Sequence, residues 1–253
     1  MKTTILSLMV LSLMAFSVPV MASGDVEHPP HQHWHFNGMT GQFDKAAMQR
    51  GLKVYREVCS ACHSMKRVAY RNLVDLGYTE DQVKNIAAEY TVTDGPNDEG
   101  EMFDRPARPS DHFVSPYPNE NAAKAVNNGA LPPDLSLIVK ARHDGPNYVF
   151  GILTGYEEPP HGHELLPGQN WNKYMPGHVI AMAPPLSDGV VAYDDGSPQT
   201  VEQYAHDVVN FLVWAADPYL EARKRLGISV LIFLLVFTGI MYSVKKKIWS
   251  DVH

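Results

Sequence analysis

The 253-residue sequence predicts a mainly α-helical domain, broken by long loops and followed by one transmembrane helix near the C-terminus. Three observations support that class. Apolar residues recur at helical spacing behind recognisable N-caps, and no long alternating strand pattern is present. Residues 1–22 have the layout of an export leader. Residues 227–244 form an apolar run that would span about 27 Å as a helix, close to the thickness of a hydrocarbon core.

The leader opens with Lys2 and an apolar stretch over 5–20. It ends at Val20-Met21-Ala22, small at the outer positions, with polar sequence from Ser23. A signal peptide of residues 1–22 is the expectation, ahead of an exported domain over 23–222. In that domain Asp44 can cap a helix through KAAMQRGLKVYREV, where Ala47, Val54, Tyr55 and Val58 fall near one face. Thr79 and Gln82 offer a capping box before Val83, Ile86, Ala87 and Tyr90. GPNYVFGILTG reads as a short helix from Pro146 that stops at Gly155.

The longest soluble helix follows Thr200 and Gln203, another box. Its stripe is Val201, Tyr204, Val208, Phe211, Leu212 and Ala215, and Pro218 ends or kinks it. The first and last of these helices are expected to cross. Segments 94–118 and 157–177 are rich in Pro, Gly and charge and read as long loops.

The anchor covers 223–247. Arg223, Lys224 and Arg225 precede the apolar run; Lys245, Lys246 and Lys247 follow it. Three basic residues on each side set no orientation, so the leader does. The expected placement is a single pass through the inner membrane, with the domain in the periplasm and residues 248–253 in the cytoplasm. Net charge is −7, but residues 23–222 hold 14 Lys and Arg against 27 Asp and Glu, giving −13. An exported domain this acidic repels nucleic acid and attracts basic proteins. The segment DGPNDEGEMFD, with Asp94, Asp98, Glu99, Glu101 and Asp104, is the candidate for that attraction.

Both cysteines of the chain lie in Cys59-Ser-Ala-Cys62-His63. A thioredoxin-type dithiol has the same Cys spacing but no need of the histidine. A structural zinc site needs four ligands, and there is no second Cys pair. Cys-x-x-Cys-His is the signature of covalent haem attachment, in which two thioethers hold the ring and the adjacent imidazole reaches the iron. Export and the absence of any further thiol agree with this third chemistry.

Several segments together resemble cytochrome c1, the haem subunit of the cytochrome bc1 complex (ubiquinol–cytochrome c oxidoreductase), in a bacterial form. They are CSACHSM, NNGALPPDLS, ARHDGPNYVFGILTGYEEPP, AMAPPL, and FLVWAADP followed by RKRLG and the anchor. The resemblance implies a cytochrome c-like haem domain with one covalent haem c. It also implies cytochrome b and a Rieske iron–sulfur protein as companions and a soluble cytochrome c as electron acceptor. The chain would then make no bonds in a substrate by itself; it would relay one electron. An anchored cytochrome serving another oxidase, or a haem peroxidase or sensor with an open iron position, are the alternatives.

A low-spin electron carrier needs two axial ligands. His63 is the first. For the second, Met65 is too near the attachment site to reach the opposite face, while Met182 stands in a loop stiffened by Pro184 and Pro185. The family motif places its ligand at the position of Met182, and Met175 is the runner-up. By the same resemblance Arg142 pairs with a haem propionate. Asn128, Pro132, Pro133 and Leu135 form the haem wall, and Tyr148 and Tyr117 lie nearby. His28, His31, His33 and His35 are close enough in sequence for a metal site, although a loosely ordered, solvated terminus is the plainer reading. His161, His163 and the adjacent acidic pairs Glu157-Glu158 and Asp194-Asp195 carry no assigned chemistry.

Overall fold

A computed structural model describes residues 27–252. The leader expected at 1–22 lies outside the described residues. Helix α1, Lys45–Glu57, starts where the Asp44 carboxylate accepts the Ala47 N–H, and it buries Met48, Leu52, Val54 and Tyr55. Helix α2, Glu80–Ala88, has the reciprocal Thr79–Gln82 capping box. Helix α3, Glu120–Val126, is capped by the Asn119 side chain and was not expected from the sequence. Helix α4, Gly145–Thr154, carries Pro146 in its first turn and ends at Gly155. Helix α5, Val201–Ala216, has Thr200 as its cap, and α6, Leu220–Ile248, is the long apolar helix.

The expected crossing of α1 and α5 is present and close. A Cβ on Gly51 would lie 2.1 Å from the Asp207 carbonyl oxygen and 2.8 Å from Phe211 Cβ, so only glycine lets the two backbones meet. Beside the crossing, the buried Asp207 carboxylate accepts two bonds from Arg50, at 2.8 and 2.9 Å. It also accepts the Tyr193 hydroxyl at 3.0 Å and the Gln203 amide at 3.1 Å. Four hydrogen bonds thus offset the cost of burying this carboxylate. Tyr55, Phe113, Tyr70 and Phe211 fill the core around it.

Two expectations need correction. The two long loops are not featureless. Strands β1 (Thr91–Asp94) and β2 (Phe103–Pro106) pair antiparallel, as do β3 (Asn170–Trp171) and β4 (Val179–Ile180). Strands this short leave too few residues for a period of two to show. The His-rich N-terminal segment is also held rather than loose. Trp34 and Phe36 are buried, the Trp34 indole N–H donates to Asn147 Oδ1 at 2.8 Å, and the ring stacks on His206. Among the described residues no group of three or more His, Cys, Asp or Glu is arranged to hold a metal ion. Helix α6 contains the whole of the expected anchor, and the domain covers none of its apolar stretch.

Candidate haem site

Helix α1 delivers the attachment motif. It ends at Glu57, and Cys59–Ala61 continues as a 3-10 turn closed by the N–H groups of Cys62 and His63 onto the Cys59 carbonyl, at 3.1 and 2.9 Å. Residues three apart eclipse in a 3-10 turn, which brings Cys59 and Cys62 to one side. Neither is in a disulfide; Cys62 is exposed and Cys59 half-buried against the core. Burial pushes the Cys59 thiol up to about 12, so it is a poor spontaneous nucleophile at neutral pH.

The His63 imidazole is oriented by the chain itself. Its Nδ1 lies 2.8 Å from the Pro133 carbonyl oxygen. A carbonyl only accepts, so Nδ1 carries the proton and Nε2 keeps its lone pair for a metal. Burial lowers the imidazole pKa from its ordinary value, against the opposing pull of the Pro133 carbonyl and Asp134, and keeps the ring neutral at pH 7.

Pro133 is in turn held by its neighbour. Asp134 Oδ2 accepts the Ser64 hydroxyl at 2.8 Å and the Lys66 N–H at 2.9 Å, while Oδ1 accepts the Ser136 N–H at 2.9 Å. The Leu135 N–H donates to the Ser64 carbonyl at 2.9 Å, and the buried Ser136 hydroxyl accepts the Arg67 N–H at 3.1 Å. Burial opposes ionisation of Asp134, but these bonds outweigh it and hold the carboxyl below its ordinary value. From behind, the Tyr55 hydroxyl donates to the His63 carbonyl at 3.2 Å. Sequence reasoning named Pro133 and Leu135 but missed Asp134, Ser64, Ser136 and Tyr55. An Asp two residues before a Ser was the available signal, as an Asx turn.

The methionines separate cleanly. Met65 is fully buried in the core. The Met175 sulfur lies 3.6 Å from the Tyr148 hydroxyl, which donates to it. Met182 follows β4, is half-buried, and its sulfur meets no donor among the described residues. Its backbone is placed by the Tyr156 hydroxyl, which donates to the Met182 carbonyl at 3.0 Å, and Leu186 buries the loop's far end.

Of the other expected wall residues, Leu135 is buried and Asn128 is exposed, with a left-handed φ of 51°. Pro132 is half-buried and Pro133 exposed. Arg142 is exposed, bonded only to the neighbouring Ala141 carbonyl, and has no carboxylate partner among the described residues. The Tyr117 hydroxyl accepts from Asn127 at 3.1 Å. Hydrogen bonds therefore join the Pro133 loop to His63, but none among the described residues ties Met182 or Arg142 to it.

These residues fit a covalent haem: two thiols on one turn, outside any disulfide, and a neutral imidazole with its metal-binding nitrogen defined. Comparison with known proteins decides the family, because residues 34–252 match the Cytochrome C1 family. The chain belongs to that family. It is 47% identical over 240 residues to the cytochrome c1 of Rhodospirillum rubrum, covering 87% of both chains. It is 50% identical over 226 residues to the mitochondrial cytochrome c1 heme protein of Saccharomyces cerevisiae, covering 89% of this chain and 73% of that one. It is also 51% identical over 249 residues to the cytochrome b/c1 protein of Bradyrhizobium diazoefficiens; the match takes in 90% of this chain but only 36% of that longer protein. Family membership gives the chain one covalently bound haem c and a part in electron transfer within the cytochrome bc1 complex, at a membrane.

Proposed function

We propose that the haem of this chain accepts one electron from a Rieske iron–sulfur protein and passes it to a soluble cytochrome c, with cytochrome b as its neighbour in the membrane. The chain supplies attachment, orientation and ligand field. Cys59 and Cys62 hold the ring through thioethers. His63 Nε2 and the Met182 sulfur are the axial ligands, a pair that favours ferrous iron and raises the potential. Arg142 faces a propionate, which a guanidinium can bind bidentately. Asn128, Pro132, Pro133, Leu135, Tyr148 and Tyr117 line or border the pocket. Residues 1–22 are the cleaved leader, 23–222 the periplasmic haem domain, 223–247 the anchor in the inner membrane, and 248–253 a cytoplasmic tail.

The single observation that supports this reading best is the His63–Pro133 bond. It presents a neutral imidazole, one residue from a thiol, in the tautomer that iron binding needs. A two-ligand carrier is favoured over a peroxidase because the Met182 sulfur has no donor among the described residues, whereas that of Met175 is bonded. The acidic docking segment is narrower than the sequence suggested. Asp94 is paired with Arg105, leaving Asp98, Glu99, Glu101 and Asp104, which accepts only the neutral Thr93 hydroxyl, as exposed charges of the β1–β2 hairpin. The test is chemical. After denaturation, haem must stay on the chain, and thiol reagents must find no free cysteine. Haem extracted by acid acetone would end the proposal.

A further inference from the structure

The junction between domain and anchor is only three residues, 217–219, between α5 and α6. Pro218 in the middle cannot continue the helix. Left alone, such a junction is a hinge, since relative motion is the default between a domain and an element it barely contacts. Five contacts oppose that hinge. The buried Asp217 carboxylate accepts from Arg223 at 2.7 Å, and Lys140 of the domain lies 3.2 Å from it. Glu221 Oε1 accepts the Phe43 N–H at 2.7 Å. The Lys224 ammonium donates to two backbone carbonyls, those of Phe36 and Gly41, the latter at 3.2 Å.

The receiving segment is rigid. Trp34 and Phe36 are buried plugs, and Trp34 is bonded to Asn147. The Gly41 turn is so tight that a Cβ there would lie 1.9 Å from the Asn37 carbonyl oxygen. That turn aims the Phe36 and Gly41 carbonyls at one ammonium. A charged donor on two fixed carbonyls is a strong, directional contact. Residues 34–43, Lys140 and the first turn of α6 thus close on one another across the Pro218 break.

We propose that Glu221 and Lys224 are positioning residues: they clamp the anchor to the N-terminal segment and so fix the angle of the haem domain above the membrane. This rests on the electron-relay reading, because a relay between a donor in the membrane assembly and a soluble acceptor needs its haem at a set place and angle. None of the clamp residues touches the haem motif. Its loss therefore changes where the haem sits and leaves the haem itself as it was.

The test uses the intact complex in native membranes, oriented in layers, with the haem-plane angle read by EPR of the ferric haem. Glu221→Ala with Lys224→Ala should keep the haem spectrum and midpoint potential, broaden the angular distribution, and slow reduction of the haem by its donor severalfold. Glu221→Gln with Lys224→Arg keeps the acceptor and the donor and should restore the narrow distribution. Arg225→Ala removes the same charge one residue on, from a side chain that is exposed; it should change nothing. If the double alanine variant does not accumulate, Lys224→Met is read in the same way. An angular distribution as narrow as the parent's in the alanine variant, or equal broadening by Arg225→Ala, overturns the clamp. Failure of the relay reading looks different: the parent haem would take no electron from the iron–sulfur donor while its orientation stayed narrow.

Discussion

The two sides of the candidate site are built to different standards. On the His63 side, the Pro133 loop is stitched to residues 63–67 by five hydrogen bonds, two of them to the single carboxylate of Asp134. On the Met182 side, one tyrosine hydroxyl holds one backbone carbonyl, and the sulfur has no donor among the described residues. The imidazole is thus preorganised by protein alone, whereas the thioether loop is only steered. A stiff side sets ligand angle and basicity. The steered side can adjust when the ring arrives, and methionine, unbranched and polarizable, suits that task.

Removing the proposed sulfur ligand gives the largest expected effect. Met182→Leu keeps volume and apolarity, so the fold should survive. The near-infrared sulfur-to-iron band should vanish, the iron should bind carbon monoxide, and the midpoint potential should fall because the thioether no longer favours the reduced state. Met175→Leu should leave that spectrum intact. The reverse pattern would mean that the loop after β4 does not cross the haem.

On the stitched side, Asp134→Ala strips acceptors from the Ser64, Lys66 and Ser136 donors. A loss of about 1–3 kcal/mol is the scale for leaving buried partners unsatisfied. The potential should rise, for two reasons of the same sign. A looser Pro133 carbonyl makes His63 a weaker donor to ferric iron, and a nearby negative charge is gone. Redox titration beside chemical denaturation separates the two readouts, and a lower stability with an unmoved potential would make Asp134 merely structural. Tyr156→Phe should cost less, about 0.5–1.5 kcal/mol for one hydrogen bond. Its signature should be earlier loss of the near-infrared band in mild denaturant, before the domain unfolds.

The sequence announced the stiff parts of the fold and only the chemistry of the site. Asp44, Thr79 and Thr200 are caps whose side chains act within three residues, so α1, α2 and α5 could be placed from local pattern. Cys59, Cys62 and His63 are likewise contiguous. What stayed hidden depends on distant partners. The bond between His63 and Pro133 spans 70 positions, and that between Trp34 and Asn147 spans 113. A buried tryptophan in a histidine-rich terminus looks the same in sequence as an exposed one. The hairpin strands have two to four residues, too few for alternation to register. The Asx turn of Asp134 onto Ser136 is local, but nothing local shows that Ser64 and Lys66, 70 and 68 positions away, also donate to it.

Acid provides the gentlest way to sharpen the contrast, because only the His63 side is held by a carboxylate. The bonds to Asp134 keep its pKa depressed in the folded protein. A depressed folded pKa means that the stabilisation is fully present above the unfolded value of about 3.9 and is lost as pH falls through the lower folded value. The sign therefore favours stability rising with pH across this acid window and flat from there to neutrality as far as Asp134 is concerned. Asp134→Asn keeps some of the acceptor geometry but removes the proton-linked part. Its denaturation midpoint should fall less steeply across the acid window than that of the parent, with the two curves converging at the acid end and running parallel from there to neutrality. Tyr156→Phe, on the steered side, should run parallel to the parent throughout. Parallel curves for Asp134→Asn would mean that the acid sensitivity lies in other paired carboxylates, such as Asp111 and Asp195, whose pKa values of about 2 are depressed by Arg105 and by the Ser197 N–H with Arg50, respectively.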